Sequence, residues 1–253
     1  MHRIAIIAAF WFSLQAAQIA AAAAPAPPSW RGQVRTIFQE WNFSTSAPTS
    51  PASPCTNPYG TPYAAVVIGP CAAGWLDSYP AAFGSRQGYW DLGSSGTITV
   101  QLPSVSPLIY KEVWVQSIYL DDITEIPVVS VSDATETGSQ IGTVEVLSSG
   151  GYWRAKTTMW GFSAKVSEIT VTLASDLMWG ATIDQVTIDA LLELPCDVNN
   201  DCRVNILDLI EVRNHLALDP NSGDNRKADV NNDGAINLLD LLKVRDMLNA
   251  QCK

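Results

Sequence analysis

The sequence predicts a mostly β protein: an antiparallel, jelly-roll-like β-sandwich followed by a small all-α module built from two loop-helix repeats. Three observations predict it. From about Trp30 to Leu192, short runs alternate apolar and polar residues with a period of two, the strand signature, and clusters of Gly, Pro and Ser separate them. No helical crossover of the kind that parallel strands require is visible among those runs. From Leu194 onward the alternation gives way to an acidic, asparagine-rich loop and an apolar helical pattern, and the pair is then written a second time.

The chain opens with Arg3, an apolar run from Ile4 to Leu14 and an alanine-rich end with several A-x-A registers. This is the pattern of a secretory signal peptide, assigned here to residues 1–24 with cleavage around Ala21 to Ala23. It places the mature protein outside the cell or at its surface. An uncleaved anchor is the alternative, because a span needs roughly 20 residues; Gln15 and Gln18 weigh against it.

A Pro-rich junction (Pro25, Pro27, Pro28) leads into the sandwich, assigned to residues 30–192. The runs expected as strands are "VRTIFQEWNF" from Val34, "PYAAVVIG" from Pro62, "TITVQL" from Thr97, "KEVWVQSIYL" from Lys111, "IPVVSVS" from Ile126, "GTVEVL" from Gly142, "YWRAKTTMW" from Tyr152, "VSEITVTLA" from Val166 and "TIDQVTIDAL" from Thr182. In "TITVQL", Ile98, Val100 and Leu102 share one face. The stretch "STSAPTSPASPCTNPYGTP" from Ser44 is too rich in Pro and Ser for a central strand and is expected as a long surface loop.

Acids outnumber bases 25 to 15, for a net charge of −10. Nothing in that balance would neutralise a phosphate backbone, so a nucleic-acid partner is excluded. Export makes the five cysteines disulfide candidates. Cys55 and Cys71 flank one short segment and are expected to pair. Cys196, Cys202 and Cys252 lie in the C-terminal region, where Cys196 with Cys252 would clasp the module's ends and Cys202 with Cys252 is the alternative.

The repeats begin at Asp197 and Asp229. Aligned, Asp197, Asn199, Asp201, Asn205 and Asp208 lie over Asp229, Asn231, Asp233, Asn237 and Asp240, at positions 1, 3, 5, 9 and 12 of a calcium loop closed by the following helix. Calcium takes six to eight oxygens at roughly 2.3–2.6 Å, and alternate positions of a tight loop aim at one centre. Position 7 contributes a main-chain carbonyl, from Arg203 and Ala235. Two ions are expected, one per loop, and because like charges crowd each empty loop, the metal should contribute to folding. Position 6 ordinarily needs Gly for the turn; Gly234 satisfies this and Cys202 does not. Ile206, Leu209, Ile210 and Val212, matched by Leu238, Leu241, Leu242 and Val244, are expected to form an amphipathic stripe that Leu216 and Leu248 continue.

On these residues the segment from 196 to 252 resembles a type I dockerin, and the module is assigned to residues 194–253. The resemblance implies two calcium ions, an internal pseudo-twofold, and docking onto a cohesin of a scaffold or cell-surface protein. It also implies partner-facing residues at positions 10, 11, 17 and 18, here Ile206, Leu207, Arg213 and Asn214, matched by Leu238, Leu239, Arg245 and Asp246. Family members often carry small hydroxyl residues at positions 10 and 11, whereas this chain has bulky aliphatic ones.

Dockerins usually ride on secreted enzymes that degrade polysaccharides, so the resemblance implies catalysis or sugar binding for the sandwich. The histidines are His2 and His215, which leaves the sandwich no Ser-His-Asp or Cys-His arrangement. A glycosidase needs only two carboxylates, about 5 to 10 Å apart. Glu40, Asp77, Asp91, Glu112, Asp121, Asp122 and Glu125 are available, and none falls in a motif. Trp75, in "GPCAAGWLDSYP", and Trp90, in "GYWDLG", are the candidates for an exposed carbohydrate-binding platform, while Trp114 and Trp160 read as core. The sequence therefore favours a non-catalytic sandwich docked by a calcium module. The alternatives are a dockerin-borne glycoside hydrolase and a structural surface protein whose module stabilises only its own chain.

Overall fold

The structure is a computed structural model that describes residues 25–78, 86–122, 124–148, 150–176 and 179–252. The signal-peptide reading of residues 1–24 lies outside them. One sheet contains β1 (Thr36–Trp41), β3 (Cys55–Thr56), β5 (Gly74–Ser78), β6 (Gln87–Asp91), β8 (Ile109–Asp121), β10 (Ala134–Val146), β11 (Tyr152–Phe162) and β13 (Thr182–Glu193). Its order is β10-β11-β8-β13-β1-β3, with β6 on β13 and β5 on β6. The second contains β2 (Thr49–Pro51), β4 (Tyr63–Val67), β7 (Thr97–Leu102), β9 (Val128–Val131) and β12 (Ile169–Ala174), in the order β2-β4-β7-β12-β9. The pairings are antiparallel throughout. Apart from the β5–β6 and β10–β11 hairpins, successive strands belong to opposite sheets, as in double-sheet jelly rolls.

Alternation puts the apolar residues between the sheets. Ile98, Val100 and Leu102 of β7 and Ile169, Val171 and Leu173 of β12 meet Val113 and Val115 of β8 and Val186, Ile188 and Ala190 of β13, all fully or nearly fully buried. Burying one such side chain contributes about 1.5–3 kcal/mol, so the sheet contact is the main source of stability. A smaller cluster of Tyr89, Ile118, Leu120, Leu147, Trp153 and Ala155 lies apart from this core, with the Tyr89 and Trp153 rings edge to face at 5.4 Å.

Several expectations are corrected. The Pro-rich stretch from Ser44 is not all loop, because it contributes β2 and β3. Both lie at sheet edges, where a Pro such as Pro51 costs no ladder bond. Strand β10 begins well before "GTVEVL". Trp114 is not core: it is half-buried against Trp30, ring centroids 6.1 Å apart. No disulfide joins Cys55 to Cys71; Cys55 sits on β3 beside Gln39, and Cys71 is exposed in the turn after β4.

The segment before β1 is tied to the first sheet. Gln116 donates to the Pro25 carbonyl at 3.1 Å, and Arg31 grips Asp189 of β13 through Nε and Nη2, both at 2.5 Å. Asp189 is 3% exposed; burial pushes its carboxyl up, and the Arg31 guanidinium opposes that shift. Arg31→Met should therefore lower stability by roughly 2 kcal/mol, read as a shift in denaturant midpoint, because it strands a buried carboxylate. Adding Asp189→Leu should recover much of the loss.

Candidate functional site

The C-terminal module consists of two nearly superposable loop-helix units around α1 (Ile206–Asn214) and α2 (Leu238–Asp246). Each helix starts at an asparagine N-cap: Asn205 and Asn237 share φ −145° and accept from Leu207 and Leu239 N–H at 2.7 Å. The acid at position 12 completes a capping box, since Asp208 and Asp240 accept from the N-cap N–H at 2.8 Å. The other oxygen reaches back across the loop, from Asp208 to Val198 and Asn199 N–H and from Asp240 to Asn231 N–H. Both carboxylates are completely buried. Each therefore pins the start of its loop to the start of its helix.

Positions 1, 3 and 5 converge in the same manner in both loops. The Asp201 N–H donates to Asp197 Oδ1 and to Asn199 Oδ1, each at 3.0 Å; the Asp233 N–H does so to Asp229 and Asn231 at 3.2 and 2.9 Å. The position-5 carboxylates accept from Arg203 and Ala235 N–H, and position 1 also accepts from Cys202 and Gly234 N–H. Position 6 is left-handed in both, φ 66° at Cys202 and 86° at Gly234. Glycine adopts that conformation freely, whereas a residue with a Cβ is strained there by about 1–2 kcal/mol.

The apolar interior of the module differs from the expected stripe. It comes from positions 2, 8 and 16, which are Val198, Val204 and Val212 with Val230, Ile236 and Val244. Leu209, Leu241 and Leu242 are half-buried, whereas Ile210, Leu216 and Leu248 are exposed. The units interlock crosswise: Asn249 N–H donates to the Val204 carbonyl at 2.9 Å and Ala217 N–H to the Ile236 carbonyl at 3.0 Å, from left-handed residues at matching places.

The residues at positions 10, 11, 17 and 18 are all exposed. Ile206 is 62% and Leu207 53% exposed, Leu238 65% and Leu239 56%, and Arg213, Asn214, Arg245 and Asp246 lie beside them. Between the helices runs an apolar groove of about 370 Å³, walled by Ile206, Leu209 and Ile210 on one side and Leu241 and Leu242 on the other, with Arg213 and Arg245 at its rim.

The opposite, loop side of the module meets the sandwich. Arg35 Nη1 lies 3.2 Å from Asp197 Oδ2, and Lys165 Nζ donates to the Val230 carbonyl at 3.0 Å. Burial raises the Asp197 carboxyl, opposed by the Cys202 N–H and by Arg35. Sequence reasoning missed Arg35, because a lone arginine before a strand carries no pattern.

Trp75 and Trp90 form no exposed platform. They face each other across the β5–β6 pair; Trp90 is 6% exposed, and half-buried Trp75 donates to the Phe43 carbonyl at 2.8 Å. Their Gly-rich flanks suggested turns, and the rings themselves supply the burial that makes strands. Among the described residues, the tryptophan that stands out into solvent is Trp179, at 62%.

The chain thus carries a pair of loop-helix repeats behind a β-sandwich, and the repeats are the part that a known family matches. Residues 195–249 match the family model of the Dockerin type I domain. Domains of that family bind calcium and dock onto cohesin partners. No curated protein and no solved structure matches the chain.

Because Asp240 closes both the helix cap and the loop, Asp240→Ala should melt the second unit, leaving buried N–H groups unsatisfied at about 1–3 kcal/mol each. Far-UV circular dichroism should show the loss of one helix, with the β signal intact.

Proposed function

We propose that this is an exported protein whose C-terminal module, loaded with two calcium ions, docks a non-catalytic β-sandwich onto a cohesin-like or cell-surface partner in a polysaccharide-binding or polysaccharide-degrading system. The observation that carries the reading is the exposure of bulky aliphatic residues at the same two helix positions in both repeats. Exposed apolar patches rimmed by polar groups mark interaction sites. The loop side of the module is already occupied by Arg35 and Lys165, so the helix side is the one left for a partner.

The donor set suits calcium. Among the described residues no three His, Cys, Asp or Glu side chains gather as a metal cluster; in these loops asparagine oxygens and main-chain carbonyls share the work with the carboxylates, which is the chemistry of a hard cation. Asp197, Asn199, Asp201, Arg203, Asn205 and Asp208 would hold one ion, and Asp229, Asn231, Asp233, Ala235, Asn237 and Asp240 the other. Bound calcium neutralises the acids that otherwise repel across each loop. The residues themselves set the loop turns, the helix caps and the orientation of the exposed face.

Full-length protein presented to purified cohesin modules, and to extracellular and envelope fractions, should bind in calcium and release in chelator. Leu207→Asp combined with Leu239→Asp should weaken that binding at least about tenfold, because buried aliphatic anchors carry interface energy. No binding under any condition would favour a module serving only its own chain, and retention that ignores chelator would overturn the calcium dependence of docking. Calorimetry on the reduced protein should give two unequal calcium sites. The first loop should be the weaker, since Cys202 strains its turn and the Arg35 cation sits beside its leading carboxylate.

A further inference from the structure

We propose that Cys202 and Cys252 are a redox pair, oxidised to a disulfide that staples the turn of the first loop to the C-terminal arm. The two residues oppose each other across a short antiparallel ladder. Arg203 and Gln251 form its bridge, the Cys252 N–H donates to the Cys202 carbonyl at 3.1 Å, and the Val204 N–H donates to the Ala250 carbonyl at 2.8 Å. Residues directly opposed in an antiparallel ladder hold their Cα atoms about 4.5–5.5 Å apart, inside the span of about 4.4–6.8 Å that a disulfide bridges. Cys196 is turned elsewhere, its thiol 3.7 Å from the Lys243 carbonyl.

The pattern of the two repeats supports the pairing. The place facing position 6 of the first loop is position 24 of the second unit, which is Cys252. In the mirrored place Gly234 has Pro220 as its counterpart. Cysteine thus occurs at both members of one related pair and at neither member of the other. It also occurs where the backbone is left-handed and glycine would be unstrained. A cross-link gives that unfavourable choice a function, because it fixes the turn from outside the loop.

The bond forms by exchange with a disulfide-bearing oxidant, either a small molecule or a protein. One cysteine sulfur displaces a sulfur of the oxidant to give a mixed disulfide, and the second cysteine then displaces the other. Two electrons pass to the oxidant, and the two protons lost by the cysteines end on its two released sulfurs, which leave as thiols. Oxidation thereby preorganises the first loop and leaves the second untouched. That consequence rests on the calcium reading above; the bond itself does not.

Full-length protein exposed to glutathione disulfide, alkylated without reductant and mapped by mass spectrometry should yield a Cys202–Cys252 cross-linked peptide with Cys196 alkylated. Full alkylation of Cys202 and Cys252, or a cross-link of either to Cys196, would overturn the pairing. Cys202→Gly should lower the melting temperature by about 10 °C in oxidising buffer and leave it unchanged or raised in reductant. An equal shift in both buffers would mean a packing role alone and would overturn the redox role. In calorimetry, reductant should weaken one calcium site about tenfold and spare the other. Equal weakening of both sites, or of neither, would overturn the coupling. Absence of calcium binding in either state would instead sink the calcium reading while the mapped cross-link stood.

Discussion

The apolar contact between the two sheets does not stop at the edge of the sandwich. Strand β13 lies between β8 and β1, buries Val186, Ile188, Ala190 and Leu192 against the second sheet, and then carries the same cluster onward through Leu194 and Cys196 into Val198, Val204 and Val212. Without that continuity the small C-terminal module would have to bury its own core, which a segment of its size does poorly. Everything else about the module follows from being seated there. Its loops face the sandwich, its helices face away, and the aliphatic residues that look misplaced on a surface are the ones left for something outside the chain.

Much of this was legible in the residues. Period-two alternation located the core strands because burial on one face demands it, and the spacing of Asp and Asn located both loops because a cation and a helix cap both demand it. The short strands were illegible for a physical reason. β2 and β3 are edge segments too brief to show a period, and β5 and β6 are flanked by Gly and Pro that read as turns. The first half of β10, Ala134 to Ile141, has no buried face to betray it at the sheet edge. The helices misled differently: composition says which residues are apolar, and only the fold says which side has a neighbour. With nine residues each, α1 and α2 offer one fully buried valine apiece to a core otherwise built by the loops.

The two repeats share a backbone and differ in their surroundings. The first loop has Arg35 on its leading carboxylate, a strained turn and a facing C-terminal arm; the second has glycine and the Lys165 contact at a main-chain carbonyl. Such differences are invisible to an alignment of the repeats, because the distinguishing atoms come from elsewhere in the chain. They make the halves of a pseudo-symmetric module separately adjustable.

Docked as proposed, the module would also be a tether, and the way β13 is held would determine how a pull is resisted. Tension entering at the helices would pass through Leu194 into a twelve-residue strand paired with β8 along most of its length on one side and with β1 from Val186 to Leu191 on the other. Loaded along its axis, such a strand must break its two ladders in shear together, and cannot open them one rung at a time. The strand that leads into the module is thus held from both sides, so a pull on the module would be spread over two ladders.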